Sequence, residues 1–175
     1  MKSSFVVVAL AAVAAPWAVL ADPPKPLHVV QTIVIKAPLE KVWGAAKDFD
    51  GLAKWHPALA SDEITKGTNN QPGAERKLTI KDGPSLTEQL MAFSDAKHSF
   101  KYKILESPFP VAHYSSTLSM KAGKGDTTVV TWSGHFTRKN QSDNPPEAEN
   151  DAAAVKLITG IYHDGLANLK KQNEG

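Results

Sequence analysis

The chain has no cysteine among its 175 residues. Disulfide staples, thiolate metal sites and a cysteine nucleophile are therefore all excluded. It also lacks an excess of one charge, with 20 Lys+Arg against 18 Asp+Glu and a formal net charge of +2. Nucleic acid is excluded as a partner on that count, because neutralising phosphates takes clustered cations and two surplus charges spread along a chain do not supply them. Catalytic motifs are scarce as well. The six histidines, His28, His56, His98, His113, His135 and His163, include no His-x-x-x-His or His-Glu-x-x-His spacing, so no metal site is expected on a single element. A spatial site from His113 and His135 on neighbouring strands stays open beside the plainer reading of a solvated polar face. There is no Gly-x-Ser-x-Gly elbow, and Gly123-Lys124-Gly125 is followed by no helix, so it reads as a hairpin turn rather than a phosphate loop. No cofactor is expected.

What is present is apolar material, 42% of the residues, too much for a disordered chain. Part of it sits at the start. Lys2 precedes an apolar and small-residue run from Phe5 to Leu20, and Val19-Leu20-Ala21 places small residues where a signal peptidase needs them. Residues 1–21 read as a cleaved secretory signal, leaving 154 residues and a formal charge of +1 once Lys2 is removed. The alternative is a retained anchor, but the run falls short of the roughly 20 apolar residues that span a bilayer. After cleavage no membrane association is expected and the compartment is oxidising. A domain of about 150 residues buries roughly 70% of its unfolded surface and needs no disulfide there.

Residues 22–26, Asp-Pro-Pro-Lys-Pro, form a stiff extended leader, and a single domain is expected over 27–175. Leu27 to Ile35 is mostly β-branched and reads as a strand. Pro38 then opens a helix with Leu39, Val42, Trp43 and Ala46 on one face, and a second short helical turn is expected across Asp48 to Trp55, ended by Pro57. From Ile64 to Arg138 five clusters of turn residues separate six antiparallel strands. Alternation puts Phe100, Tyr102 and Ile104 on one face and Lys101 and Lys103 on the other. Tyr114, Ser116, Leu118 and Met120 share a face in the next strand, and Val130, Trp132, Gly134 and Phe136 in the last. A sheet with one apolar face must cover it. The cover is a long C-terminal helix, expected to start at Asn144-Pro145-Pro146-Glu147 and to run about 25 residues, roughly 37 Å, to Lys171. Its stripe is Val155, Ile158, Ile161, Tyr162, Leu166 and Leu169, and Glu147, Glu149 and Asp151 at its start with Lys170 and Lys171 at its end match the helix dipole. Gly165 falls near that stripe, leaving room for a close backbone or a ligand. The pattern offers no physical account of Gly160.

The order strand, two short helices, six strands, long helix is that of the α+β helix-grip fold. Ile35-Lys36-Ala37-Pro38-Leu39-Glu40-Lys41-Val42-Trp43, Asp48-Phe49-Asp50-Gly51-Leu52-Ala53-Lys54-Trp55-His56-Pro57 and Trp132-Ser133-Gly134-His135-Phe136 resemble the START-like superfamily of polyketide cyclases and dehydrases, pollen-allergen (Bet v 1-like) proteins and lipid-transfer domains. The resemblance covers essentially all of Leu27 to Lys171. It implies a curved antiparallel sheet of about seven strands wrapped on the long helix, with a cavity between them for apolar ligands or, in some members, for chemistry. Within that superfamily, the secretory signal and Asn144-Pro145-Pro146-Glu147 leading into Asp151-Ala152-Ala153-Ala154-Val155 are similar to MxaD-type periplasmic proteins of methanol-oxidising bacteria. That likeness implies a periplasmic, non-enzymatic accessory protein assisting the interaction of methanol dehydrogenase with its cytochrome c. Local patches such as Lys97, Lys101 and Lys103 would then carry the contact, since net charge offers little steering.

The candidate cavity residues follow from the same frame. Trp55-His56-Pro57 would sit at the cavity mouth, where a histidine beside an aromatic can exchange protons near neutral pH; the structural alternative is a tryptophan packed under the long helix. Glu88 shares a face with Leu86 and Leu90. In that register a carboxylate enters the cavity with a raised pKa, whereas in the opposite register Thr87, Gln89, Met91 and Phe93 face inward and Glu88 is solvated. Phe100, Tyr102, Tyr114, Trp132 and Tyr162 converge between sheet and helix, the tyrosines and Ser116 supplying the hydrogen-bonding groups an apolar wall needs. Gly165 completes the candidate set.

Overall fold

A computed structural model describes residues 25–175; the proposed signal and residues 22–24 of the leader lie outside the described residues. Leu27–Ile35 forms β1, alternating buried Leu27 and Val29 with exposed His28 and Val30. Pro38, extended at φ −60° and ψ 148°, precedes α1 (Leu39–Ala46), which buries Val42, Trp43 and Ala46. A 3-10 turn at Phe49–Gly51 leads into α2 (Leu52–Trp55), which ends at His56 before Pro57. Six strands follow: β2 (Leu59–Lys66), β3 (Glu75–Ile80), β4 (Ser85–Ser94), β5 (Ser99–Glu106), β6 (Val111–Ala122) and β7 (Thr128–Arg138). The last element is α3 (Asp151–Glu174).

The seven strands make one antiparallel sheet in the order β1-β7-β6-β5-β4-β3-β2. β1 and β2 are therefore opposite edges, and α1 and α2 carry the chain from one to the other. Irregular pairing bends the ladder in β2, β4 and β6, at Leu59/Ser61, Ile64/Lys66, Leu90/Ala92 and Ala112/Ser115; such bulges bend a strand and increase its twist. At the β6 irregularity His113 adopts φ 51°, a left-handed conformation that costs energy outside glycine. This is the helix-grip architecture: a curved sheet whose apolar face is closed by a long helix. Along α3 the buried residues Ala154, Ile158, Tyr162, Leu166, Leu169 and Asn173 recur at three- and four-residue spacing and pack on β1 and β7.

The start of α3 corrects the sequence expectation. The chain is extended at Pro146 (φ −51°, ψ 151°), makes a 3-10 turn at Glu147–Glu149 and is extended again at Asn150 (φ −80°, ψ 175°). Asn150 is the cap, its side chain accepting from the Ala153 N–H at 2.8 Å. Only Asp151 of the three acidic residues lies in the first turn. Glu149 instead accepts from the Asn140 amide at 2.6 Å, and Asp151 pairs with Arg138 at 3.0 Å, so these carboxylates hold the β7–α3 connection.

Candidate functional site

Between the sheet and α3 lies a cavity of about 220 Å³. Leu52, His56 and Leu59 close one side, the inward residues of β3 to β6 form the floor, and Leu157, Ile158 and Ile161 of α3 form the roof. The lining is almost wholly apolar, interrupted by His56, Glu88, Tyr102, Tyr114 and Trp132. Five of the ten candidates therefore meet the cavity. In β4 the register that turns Glu88 inward with Leu86 and Leu90 is the one adopted; the irregularity between Leu90 and Ala92 lets Phe93, beyond it, pack on Trp43, while Met91 stands exposed.

Sequence reasoning missed the partners of Glu88. Arg76, 1% exposed, donates to Glu88 Oε2 from Nε at 2.9 Å and from Nη2 at 2.6 Å, and to Asp62 Oδ2 from Nη1 at 3.2 Å. Its Nη1 also donates to the Phe49 carbonyl, and the guanidinium lies 4.1 Å from the Phe49 ring centroid. Desolvation opposes the Arg76 charge, but Glu88 and Asp62 together raise its pKa above the usual guanidinium value. Burial pushes the Glu88 carboxyl up, and Arg76 pulls it back. Asp62 is pushed up to about 6 by burial against the opposing pull of Arg76. Its Oδ2 accepts from Leu52 N–H and Arg76, whereas buried Oδ1 has no partner among the described residues and is where a proton would reside. The sequence did not carry this pairing: a hairpin symmetric about Lys81-Asp82-Gly83-Pro84 sets Arg76 opposite Gln89, whereas the observed register, centred on Asp82, sets it opposite Glu88.

The hydroxyl groups at the other end form a directed chain. Ser116 donates to the Ser133 carbonyl at 2.9 Å, which uses its one proton. Tyr162 must then donate to Ser116 at 2.8 Å, and Tyr114 to Tyr162 at 2.6 Å. Gly134 makes this chain fit, because a Cβ there would collide with the Tyr162 hydroxyl. Tyr102 accepts from the Trp132 indole N–H at 3.0 Å. Burial raises all three tyrosines, Tyr102 to about 12, so they act as neutral hydrogen-bonding groups.

His56 is likewise fixed. Its Nδ1 accepts from Ala58 N–H at 3.3 Å, so Nε2 carries the proton and donates to the Ile161 carbonyl at 3.0 Å. Burial lowers its pKa below the ordinary 6.5, leaving a neutral ring that positions α3 rather than a proton shuttle.

The other five candidates are corrected. Trp55 is buried behind the cavity, its ring centroid 5.5 Å from that of Trp132. Phe100 packs in the core against Phe49 and Trp43 at 6.3 Å. Ser116 and Tyr162 stand behind Tyr114 in the hydroxyl chain, Tyr162 stacking on Trp132 at 4.5 Å. Gly165 leaves room for neighbours, not ligand: a Cβ would lie 2.7 Å from His56 Cδ2 and 2.9 Å from Trp132. His135 stacks on His28 of β1, ring centroids 4.1 Å apart, rather than joining His113. Among the described residues no group of three or more His, Asp or Glu is placed to hold a metal ion, and no helix is long and apolar enough to cross a membrane.

Comparison with known proteins fits this geometry. Residues 26–174 match the family model described as polyketide cyclase / dehydrase and lipid transport. A 103-residue stretch is 32% identical to the abscisic acid receptor PYL10 of Arabidopsis thaliana, covering 55% of this chain and 56% of that one, so the chain spans just over half the length of this relative. The structure is similar to that of the protein XoxI from Bacillus cereus, with 34% identity and a TM-score of 0.73 over 83% of this chain and 94% of that one. It also resembles the Zhui aromatase/cyclase of Streptomyces sp. R1128, with a TM-score of 0.69 over 86% of this chain and 94% of that one; at 21% identity this likeness concerns the fold alone. With the helix-grip frame, the apolar cavity and a family match over nearly the whole described chain, the protein belongs to the polyketide cyclase / dehydrase and lipid transport family.

Proposed function

We propose that the protein binds a small, mainly apolar molecule in the cavity under α3. The observation that carries this reading is the cavity itself: about 220 Å³ of space between sheet and helix, lined by leucine, isoleucine and aromatic side chains. An apolar cavity of about 150 Å³ accommodates benzene, so this one suits a somewhat larger molecule. Carriage is favoured over catalysis because the polar groups at the cavity are restrained: His56 is held neutral, and Glu88 is paired with Arg76. Native mass spectrometry of protein purified from its own host tests the reading. One retained small molecule, lost on denaturation, is expected; protein that is empty and binds no apolar compound would overturn it.

A second reading rests on the opposite face of the sheet. Along β5 from Ser99 to Leu105, and through β6 and β7, the outward positions carry Lys101, Lys103 and Lys121 and no carboxylate. Lys97 is exposed at the preceding turn, and Val30 and Val34 stand exposed on β1. With the sequence features of a secretory signal, this supports a periplasmic accessory role of the MxaD type, in which the cationic face meets methanol dehydrogenase or its cytochrome c. Adding the purified protein to that pair should change the rate of electron transfer. An unchanged rate with no detectable complex contradicts this role and leaves the cavity reading standing.

A further inference from the structure

The hydrogen-bonding valences left open at the cavity select among apolar ligands. Glu88 takes both Arg76 bonds on Oε2, and its Oε1 has no partner among the described residues. Tyr102 accepts from the Trp132 N–H and has the Tyr114 and Ser116 hydroxyl oxygens beside it for its own proton. Tyr114 has donated its proton to Tyr162 and keeps only a lone pair, while both His56 nitrogens are engaged. Neither lysine nor arginine lines the cavity. A ligand in this apolar space thus meets one open acceptor, the second carboxylate oxygen of Glu88, in surroundings that strengthen the interaction.

We infer that the cavity is built for an uncharged alcohol or phenol with a compact apolar body, and that it discriminates against carboxylic acids. A neutral hydroxyl on a compact apolar body can donate to Glu88 Oε1. A ligand carboxylate would bring a further anion beside Glu88 in a site of low polarity, where the one neighbouring cation, Arg76, is already shared between Glu88 and Asp62. A hydrocarbon of the same shape fills the space but leaves Oε1 unmatched. The inference rests on the cavity-binding reading above, and it adds a chemical class that volume alone does not determine.

Titration of the protein with 2-methylnaphthalene, 2-naphthol and 2-naphthoate, followed by two-dimensional amide NMR at neutral pH, separates these statements. The three probes share a ring system and differ in one substituent. 2-Naphthol is expected to bind on the order of tenfold more tightly than 2-methylnaphthalene, and 2-naphthoate more weakly than either. Glu88→Gln presents an amide in place of the free carboxylate oxygen and should shrink the preference for 2-naphthol while strengthening 2-naphthoate. If this variant does not fold, the three affinities of the unaltered protein decide the matter alone. Equal binding of 2-naphthol and 2-methylnaphthalene, or tightest binding of 2-naphthoate, overturns this inference and leaves the cavity reading intact. Absence of binding by all three overturns both.

Discussion

Two glycines of α3 show how a single missing methyl group takes its meaning from its surroundings. At Gly165 an added Cβ would lie within 3 Å of the His56 and Trp132 rings, neither of which has a flexible end that can yield. Gly165→Ala should destabilise the fold by about 1–3 kcal/mol, the usual cost of overpacking, despite the better helix propensity of alanine. At Gly160 a Cβ meets nothing within 4 Å, so Gly160→Ala should stabilise by about 0.5–1 kcal/mol. Urea denaturation of both variants checks the pair. Asp62 predicts a pH dependence. Burial raises its pKa from 3.8 to about 6, so the folded state binds a proton more tightly than the unfolded chain. Its contribution to stability is full below about 3.8 and is lost as pH rises through 6. His56, with a lowered pKa, has the opposite sign: its contribution is full above 6.5 and is lost as pH falls. Asp62→Asn should therefore gain on the unaltered protein between pH 4 and pH 8, by no more than about 3 kcal/mol; a difference in stability that stays constant with pH contradicts the assignment. The identity of the buried ions was the least legible residue-scale feature. Arg76 reads locally as one more charged residue in a short strand, and its burial emerges only when the 3-10 turn, β2 and β4 deliver Phe49, Asp62 and Glu88 to it.

Elements were more legible than their ends. Alternation fixes β5, β6 and β7 because one face of each is buried, and a slip of one residue would reverse every side chain. β4 was ambiguous for a physical reason: its inward set changes at the irregularity near Met91, so no single alternation describes Leu86 to Phe93. The stripe on α3 was readable from Ile158 to Leu169, but its N-terminus was not. Asn144 and Asn150 are each followed by acidic residues and both resemble caps, yet Pro145 and Pro146 hold the chain extended after the first. Asn150→Ala should cost about 1 kcal/mol of stability through loss of the bond to Ala153 N–H, whereas Asn144→Ala should have little effect. Thermal unfolding of the two variants distinguishes the caps; an equal loss at Asn144 would contradict the observed start.

At the scale of the whole molecule, the fold follows from a simple requirement. Seven strands with one apolar face need a cover, and a long amphipathic helix is the remaining element able to provide it. The sequence shows that requirement; it does not show how completely the cover fills the space. Whether Tyr162 lines a cavity or plugs it depends on Gly134, which admits its hydroxyl, and on Gly165, which draws Trp132 and His56 against the helix. These contacts fill one end of the grip and leave the other open over Leu78, Leu86 and Ile104. The most direct measurement is a set of intermolecular nuclear Overhauser effects between bound 2-naphthol and the methyl groups of the protein. Cross-peaks to Leu78, Leu86, Ile104 and Ile158 place the ligand under α3 as the account predicts; cross-peaks confined to exposed Val30 and Val34 on the outer face would contradict it.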